Sequence, residues 1–276
     1  MPFAYRREYR GPVQLVAFDW AGTIVDFGCQ APALAFVELF RDAGLEISVA
    51  QARGPMGIGK REHIAALLEE PEVERGWSDL HGAKPKPGDV ERLYEAFHPI
   101  QVRMAAERAQ LIPGVLETVA WLRARDTMIA TNTGYFREVL DAILPVATEQ
   151  GFEADSHVCA TDVPEARPAP WMLIVNMLET GAYPAEAVVK VGDTIPDIEE
   201  GLNAGAWTVA VIESGNLIGL REEELDDVPQ AELAEMSDRA RLTLQRAGVH
   251  YTIPTVADLP PIIEDIELRL RRGERP

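Results

Sequence analysis

Apolar residues follow two rhythms along this chain, and the alternation between them outlines a fold. Val13, Leu15, Val16, Ala17 and Phe18 form a short apolar run that stops at Asp19. That pattern predicts a strand buried on both faces, as in a parallel sheet. Ala35, Phe36, Leu39, Phe40 and Ala43 then recur at helical spacing up to Gly44. The stretch from Ala52 to Lys60 reads as a glycine-dense loop ending on a lysine, and Ile64, Leu67 and Leu68 mark the next helix. Pro71 to Gly88, rich in proline, glycine and charge, reads as a solvated connection. Leu93, Phe97, Ile100 and Met104 predict a longer helix bent at Pro99. No strand pattern occurs between Phe27 and about Gln110.

The strand rhythm then returns. Val115, Leu116, Val119 and Leu122 mark a helix, Thr127 to Ala130 a strand, and a further helix reaches about Leu144. Ser156 to Ala160, Val188 to Gly192 and Trp207 to Ile212 predict three more strands. Arg221 to Asp238 reads as a solvated, acidic helical excursion, and Tyr251 to Ile253 as an edge strand before a last helix with a cationic end. Strands alternating with helices predict an α/β chain. Its core, residues 1–26 and 111–276, is a doubly wound, Rossmann-like parallel sheet, and an all-helical domain, 27–110, is inserted after the first strand.

Polar residues cluster where this arrangement would place a site. Open α/β sheets bind ligands outside the carboxyl ends of their strands. Four stations fall there: Asp19, Thr131 with Asn132 and Thr133, Arg167 beyond the third strand, and Asp193 with Asp197. Asp19 and Asp193, on neighbouring strand ends, can share Mg2+, which needs few carboxylates and keeps water and substrate oxygens. Hydroxyls and turn amides around Thr131, Asn132 and Thr133, with the cation of Arg167, can hold a phosphoryl group, and Asp19 can attack phosphorus. Asp197 has three open readings: a metal water, a partner for Lys or Arg side chains, or a cap for the helix after Pro196. The bland competitor is an ion-pair cluster closing the top of the sheet.

The totals narrow the partners. A formal net charge of −19 over 276 residues disfavours nucleic acid and anionic membranes. Two cysteines without a CxxC motif fit a reducing compartment. No apolar run reaches membrane-spanning length, and Met1 to Pro12 lacks the apolar core of a signal peptide, so a cytoplasmic location is expected.

Four stretches in order carry a resemblance: Asp-Trp-Ala-Gly-Thr from Asp19, Gly-Pro-Met-Gly-Ile-Gly-Lys from Gly54, Arg-Pro-Ala-Pro-Trp from Arg167 and Val-Gly-Asp-Thr from Val191. Over nearly its whole length the chain resembles the haloacid dehalogenase superfamily, and within it the phosphonatase family. The resemblance implies hydrolysis of the carbon–phosphorus bond of phosphonoacetaldehyde. Lys60 would form an imine with the aldehyde and Asp19 would take the phosphoryl group. Mg2+ would be held by Asp19, the backbone carbonyl of Ala21 and Asp193, with Asp197 either a further ligand or a support behind the ligands. Phosphatases of the superfamily carry a second Asp where this chain has Ala21, an acid for an oxygen leaving group. A carbanion leaving group instead needs an electron sink such as a protonated imine.

His63, one turn after Lys60 on the same helix face, suits a proton shuttle, although a lone histidine is as readily structural. The resemblance also places Met56, Cys29 and Tyr135 in an aldehyde pocket, with core packing as the competitor for Met56 and Tyr135, and it implies a homodimer through the inserted domain. Asn132 and Ile24 depart from the hydroxyl residues expected at their positions. The competing functions are a phosphomonoesterase of the same superfamily, a silent phosphate-binding module and, last, a dehalogenase.

Overall fold

A computed structural model describes residues 8–276. Strands β1 (Leu15–Phe18), β2 (Met128–Thr133), β3 (Ser156–Cys159), β4 (Val188–Gly192), β5 (Trp207–Val211) and β6 (Tyr251–Ile253) form one sheet in the order β3-β2-β1-β4-β5-β6. Every pairing is parallel. Alternate side chains serve opposite faces. Val16 and Phe18 of β1 pack in the same core as α6 (Val115–Arg123), α7 (Arg137–Glu149) and α12 (Leu259–Arg271). Leu15 and Ala17 pack with Leu173 of α8 (Trp171–Thr180), while Ala210 of β5 meets Ile198 of α9 (Ile195–Ala204). Apolar side chains on both faces explain why the strands read as continuous hydrophobic runs.

Five helices lie between β1 and α6: α1 (Gln30–Asp42), α2 (Val49–Arg53), α3 (Lys60–Glu69), α4 (Pro71–His81) and α5 (Pro87–Glu107). Their shared centre includes Phe36 of α1, stacked on Phe97 of α5 with ring centroids 4.4 Å apart. Two expectations need correction. Pro71 to Gly88 is largely helix α4, not a solvated connection. Only Val73 and Trp77 are buried on it, so its sequence reads as polar, while Pro71 at its first position and Gly82 (φ 73°) beyond its end are ordinary helix boundaries. Ala52 and Arg53 belong to α2, whose start is a capping box: the Gln51 N–H donates to Ser48 Oγ (3.1 Å) and the Ser48 N–H to Gln51 Oε1 (2.9 Å). Pro99 lies inside a single α5. The acidic excursion is helical, as α10 (Glu222–Leu225) and α11 (Gln230–Arg246), but α11 buries Ala240 and Leu244 against the core.

The insertion leaves and rejoins the sheet side by side. Val25 bridges Leu111, the Ile112 N–H donates to Ile24 O (2.9 Å), and the Asp26 N–H to Gln110 O (3.1 Å). Asp26, at φ 57°, accepts the Ala31 N–H on Oδ2 (2.7 Å) at the start of α1. Burial pushes its carboxyl up to about 6. An acid raised in the fold is destabilising when ionised, so its cost of about 3 kcal/mol is present above pH 6 and disappears as pH falls through 6 toward the unfolded value. An asparagine at this position would keep the acceptor and tolerates a left-handed backbone. Asp26→Asn is therefore expected to melt at or above the wild-type temperature at pH 8, with the advantage shrinking toward pH 5. A melting temperature well below wild type at pH 8 would show that the charge itself holds the linker.

Candidate active site

The strand order reverses direction between β1 and β4, so connections diverge there and a crevice opens at their carboxyl ends. Asp19 follows β1 directly, its N–H donating to Val191 O at 2.8 Å. Asp193 follows β4, and Asp197 lies in the first turn of α9. Carboxylate oxygens of all three, each buried, approach within 4.8 Å of one another. Gly22, at φ 80°, lets the turn pass against Asp193, since a β-carbon there would overlap the carboxylate.

The two strand-end carboxylates differ in what satisfies them. Asp193 Oδ2 accepts the Asn216 N–H at 2.7 Å, while its buried Oδ1 has no hydrogen-bond partner among the described residues. Burial, then the neighbouring Asp19, pushes the Asp193 carboxyl well up. Burial also raises Asp19, against the pull of Arg167. An orphaned oxygen beside a second buried carboxylate fits a hard divalent cation, which would relieve both costs. Asp197 is already neutralised. Its Oδ1 lies 2.9 Å from Arg167 Nη1 and 3.0 Å from Lys190 Nζ, and its Oδ2 accepts the Thr194 hydroxyl at 2.5 Å. Although burial opposes it, Arg167 and Lys190 hold this carboxyl below its usual range. Pairing with cations and capping of α9 are thus both observed.

Arg167 is the hub of the buried polar network. Its Nη2 donates to Asp19 Oδ1 (2.7 Å), Asn132 O (2.7 Å) and Asn132 Oδ1 (2.8 Å), and its Nε to Glu200 Oε2 (3.1 Å). Lys190 Nζ donates to Asn132 Oδ1 at 2.5 Å. Thr133 lines the cavity beside Asp19, but Thr131 and Asn132 do not. β2 runs through Thr133, so these two residues lie within the sheet. Thr131 Oγ1 meets His157 Nδ1 at 2.8 Å, and Asn132 Nδ2 donates to Asn176 Oδ1 at 3.2 Å. Asn132 holds two cations in place, which accounts for an amide where a hydroxyl was expected. Lys190 and Glu200 are members of this network that the strand-end pattern does not mark. A lone lysine between Val189 and Val191 and a glutamate one turn after Asp197 are the signals that could have found them.

The insertion supplies the opposite wall. Met56, Gly57 and Lys60 line the same cavity as Asp19, Ala21, Cys29, Tyr135, Arg167 and Asp193. Gly57, at φ 99°, lets the loop pass close to Thr194 and Pro196. Lys60 opens α3 and is 8% exposed, its Nζ 5.8 Å from the Phe36 ring centre and 5.7 Å from that of Tyr135. Burial lowers its ammonium to about 8. His63 is buried beneath it, stacked on Phe36 with centroids 3.8 Å apart, its Nε2 2.9 Å from Ala52 O. Burial, then Lys60, pushes this imidazole down to about 3, so the ring is neutral and Nδ1 is its open acceptor. Burial pushes the Cys29 thiol well up, which disfavours the nucleophilic thiolate.

A family model for haloacid dehalogenase-like hydrolases matches residues 13–205. Phosphonoacetaldehyde hydrolase from Hahella chejuensis is 47% identical over 276 residues, covering 100% of this chain and 94% of that protein. The chain belongs to the phosphonoacetaldehyde hydrolase family. The enzyme of that name from Paraburkholderia phytofirmans is 46% identical over 264 residues, 96% of this chain and 99% of its own. A crystal structure of a phosphonoacetaldehyde hydrolase-like protein from Oleispira antarctica superposes with a TM-score of 0.97 at 42% identity, covering 100% of both chains. Family membership agrees with the α/β core, the helical insertion after β1 and the buried carboxylate cluster described above.

Proposed function

We propose that this chain hydrolyses the carbon–phosphorus bond of phosphonoacetaldehyde to acetaldehyde and phosphate. One observation carries the reading: a buried lysine held near 8 and a buried aspartate line one cavity, with Ala21 where an acid would serve an oxygen leaving group. The Lys60 amine adds to the aldehyde and loses water to give a protonated imine. An Asp19 oxygen bonds to phosphorus as the C–P bond breaks, and the electron pair passes through carbon into the imine, leaving an enamine. Proton return to carbon and hydrolysis release acetaldehyde from Lys60, and a second water releases phosphate from Asp19. His63 Nδ1 is the acceptor available for proton passage to and from Lys60, Arg167 and Thr133 hold the phosphonate oxygens, and Met56, Cys29 and Tyr135 enclose the two-carbon chain. Thr131 and Asn132 support Thr133 and Arg167 from within the sheet.

Mg2+ would be held by Asp19, Asp193 and the carbonyl of Ala21, with Asp197 one step behind, and would supply positive charge against the phosphonate oxygens. Asp193→Ala should weaken Mn2+ binding, followed by electron paramagnetic resonance, by more than roughly 100-fold, beyond the effect of losing an outer partner. Wild-type affinity in that variant would remove Asp193 from the ligand set. Purified protein given phosphonoacetaldehyde and Mg2+ should yield acetaldehyde and phosphate in equal amounts, and borohydride should trap a substrate-dependent adduct on Lys60. Phosphate released from small phosphomonoesters, without acetaldehyde or an adduct, would replace this reading with a phosphatase.

We also take residues 27–110 as the cap domain, a cytoplasmic location as the setting, and a homodimer through the cap as the assembly. Exposed Leu80 and Val49 on the insertion support the last point. Sedimentation at micromolar concentration should find a dimer, and a monomer throughout would refute it.

A further inference from the structure

Between the insertion and the core lies a guanidinium that the reaction above leaves unused. Arg53 ends α2, just before the loop that carries Met56 and Gly57 toward Lys60. Its Nη1 donates to Cys29 O (3.1 Å) and Asn216 Oδ1 (3.1 Å), and its Nη2 to Gly219 O (3.1 Å). Cys29 precedes α1, whereas Asn216 and Gly219 lie in the core loop after β5. Asn216 is buried, and its backbone N–H is the one that holds Asp193 Oδ2.

The same loop is tied down again nearby. Gln30 Nε2 donates to Gly219 O (2.8 Å), the Gly28 N–H to Ser214 O (2.8 Å), and Ser214 Oγ to Gly22 O (2.8 Å). Gly219, at φ 68°, leaves room for the guanidinium, which a β-carbon would crowd. A planar fork can serve three acceptors in fixed directions, which a lysine point charge cannot.

We propose that Arg53 is a positioning residue: it fastens the Met56–Lys60 wall of the cavity to the core loop whose Asn216 orients Asp193. The amine and the carboxylate pair are thereby held at a set separation. The kinetic arm of this inference rests on the phosphonate hydrolysis proposed above, and the other arms do not. The test compares Arg53→Ala, Asn216→Ala and the double variant in the full chain. Asn216→Ala removes an acceptor of Arg53 while leaving the backbone N–H on Asp193.

Arg53→Ala should lower kcat/KM for phosphonoacetaldehyde on the order of 10–100-fold, the scale of lost charge-assisted hydrogen bonds. The double variant should be no worse than Arg53→Ala, since both changes cut one connection. Without substrate, backbone hydrogen exchange should quicken over 54–60 and at Asn216, and Mn2+ should bind several-fold more weakly by electron paramagnetic resonance. Exchange and Mn2+ binding at wild-type values, or losses that simply add, would overturn the proposal. Should Arg53→Ala fail to fold, Asn216→Ala alone carries the exchange and Mn2+ readouts. A wild-type enzyme that makes no acetaldehyde would remove the substrate assignment, while those two readouts would still decide the role of Arg53.

Discussion

Lys60→Arg should be nearly inactive, losing more than the roughly 10²–10⁴-fold typical of one acid–base group, although it keeps the positive charge. If Lys60 only attracted the phosphonate, arginine would serve as well, because its fork suits phosphate. An imine needs a neutral amine, which a guanidinium does not supply. Burial already brings Lys60 down to about 8, so the wild-type kcat/KM should rise with pH toward that value as the amine loses its proton, and Lys60→Arg should lack the limb. Borohydride should trap the wild type with substrate and leave the variant unmodified. A variant within tenfold of wild type, together with a wild type that resists trapping, would return the chain to the ordinary phosphatases.

Asp19→Asn should abolish phosphate release. The amide keeps the size of the side chain but gives up the nucleophilic oxygen. It also leaves the Arg167 hydrogen bond at 2.7 Å within reach of the amide oxygen, so the fold should survive. Imine formation belongs to Lys60, hence borohydride should still trap substrate on Asp19→Asn, at a site separate from the blocked step. Loss of trapping as well as turnover would mean that Asp19 shapes the lysine's environment and not only the attack on phosphorus. Normal phosphate release would refute the nucleophile assignment.

The site was legible where one residue broke a strong pattern. An apolar run that ends on Asp19, and another that ends on Gly192 and Asp193, announce strand-end carboxylates because a parallel sheet buries everything before them. The succession of strands along the chain was legible for the same reason. What stayed hidden depended on length and on neighbours. β2 extends to Thr133, three residues beyond the Ala130 end that its apolar pattern suggests, and this draws Thr131 and Asn132 into the sheet, leaving Thr133 at the cavity. α4 was hidden because a helix touching the core through Val73 and Trp77 alone carries little hydrophobic period. Lys190 reads in sequence only as part of a strand; its reason for being buried is an amide and two carboxylates contributed from β2 and α9. Arg53 reads as loop unless the Ser48–Gln51 capping box before it is given weight.

The insertion is covalently joined to the sheet only through the paired linkers around Val25 and Leu111, and Lys60 hangs from one side of that joint while Asp19 hangs from the other. In the proposed cycle, cleavage of the C–P bond therefore divides the substrate between two walls, a two-carbon fragment tethered to the insertion and a phosphoryl group tethered to the sheet. Neither fragment can diffuse away until water cuts its own tether. The relative speed of the two hydrolyses, one per wall, then sets whether the resting enzyme under turnover carries carbon on its lysine or phosphorus on its aspartate.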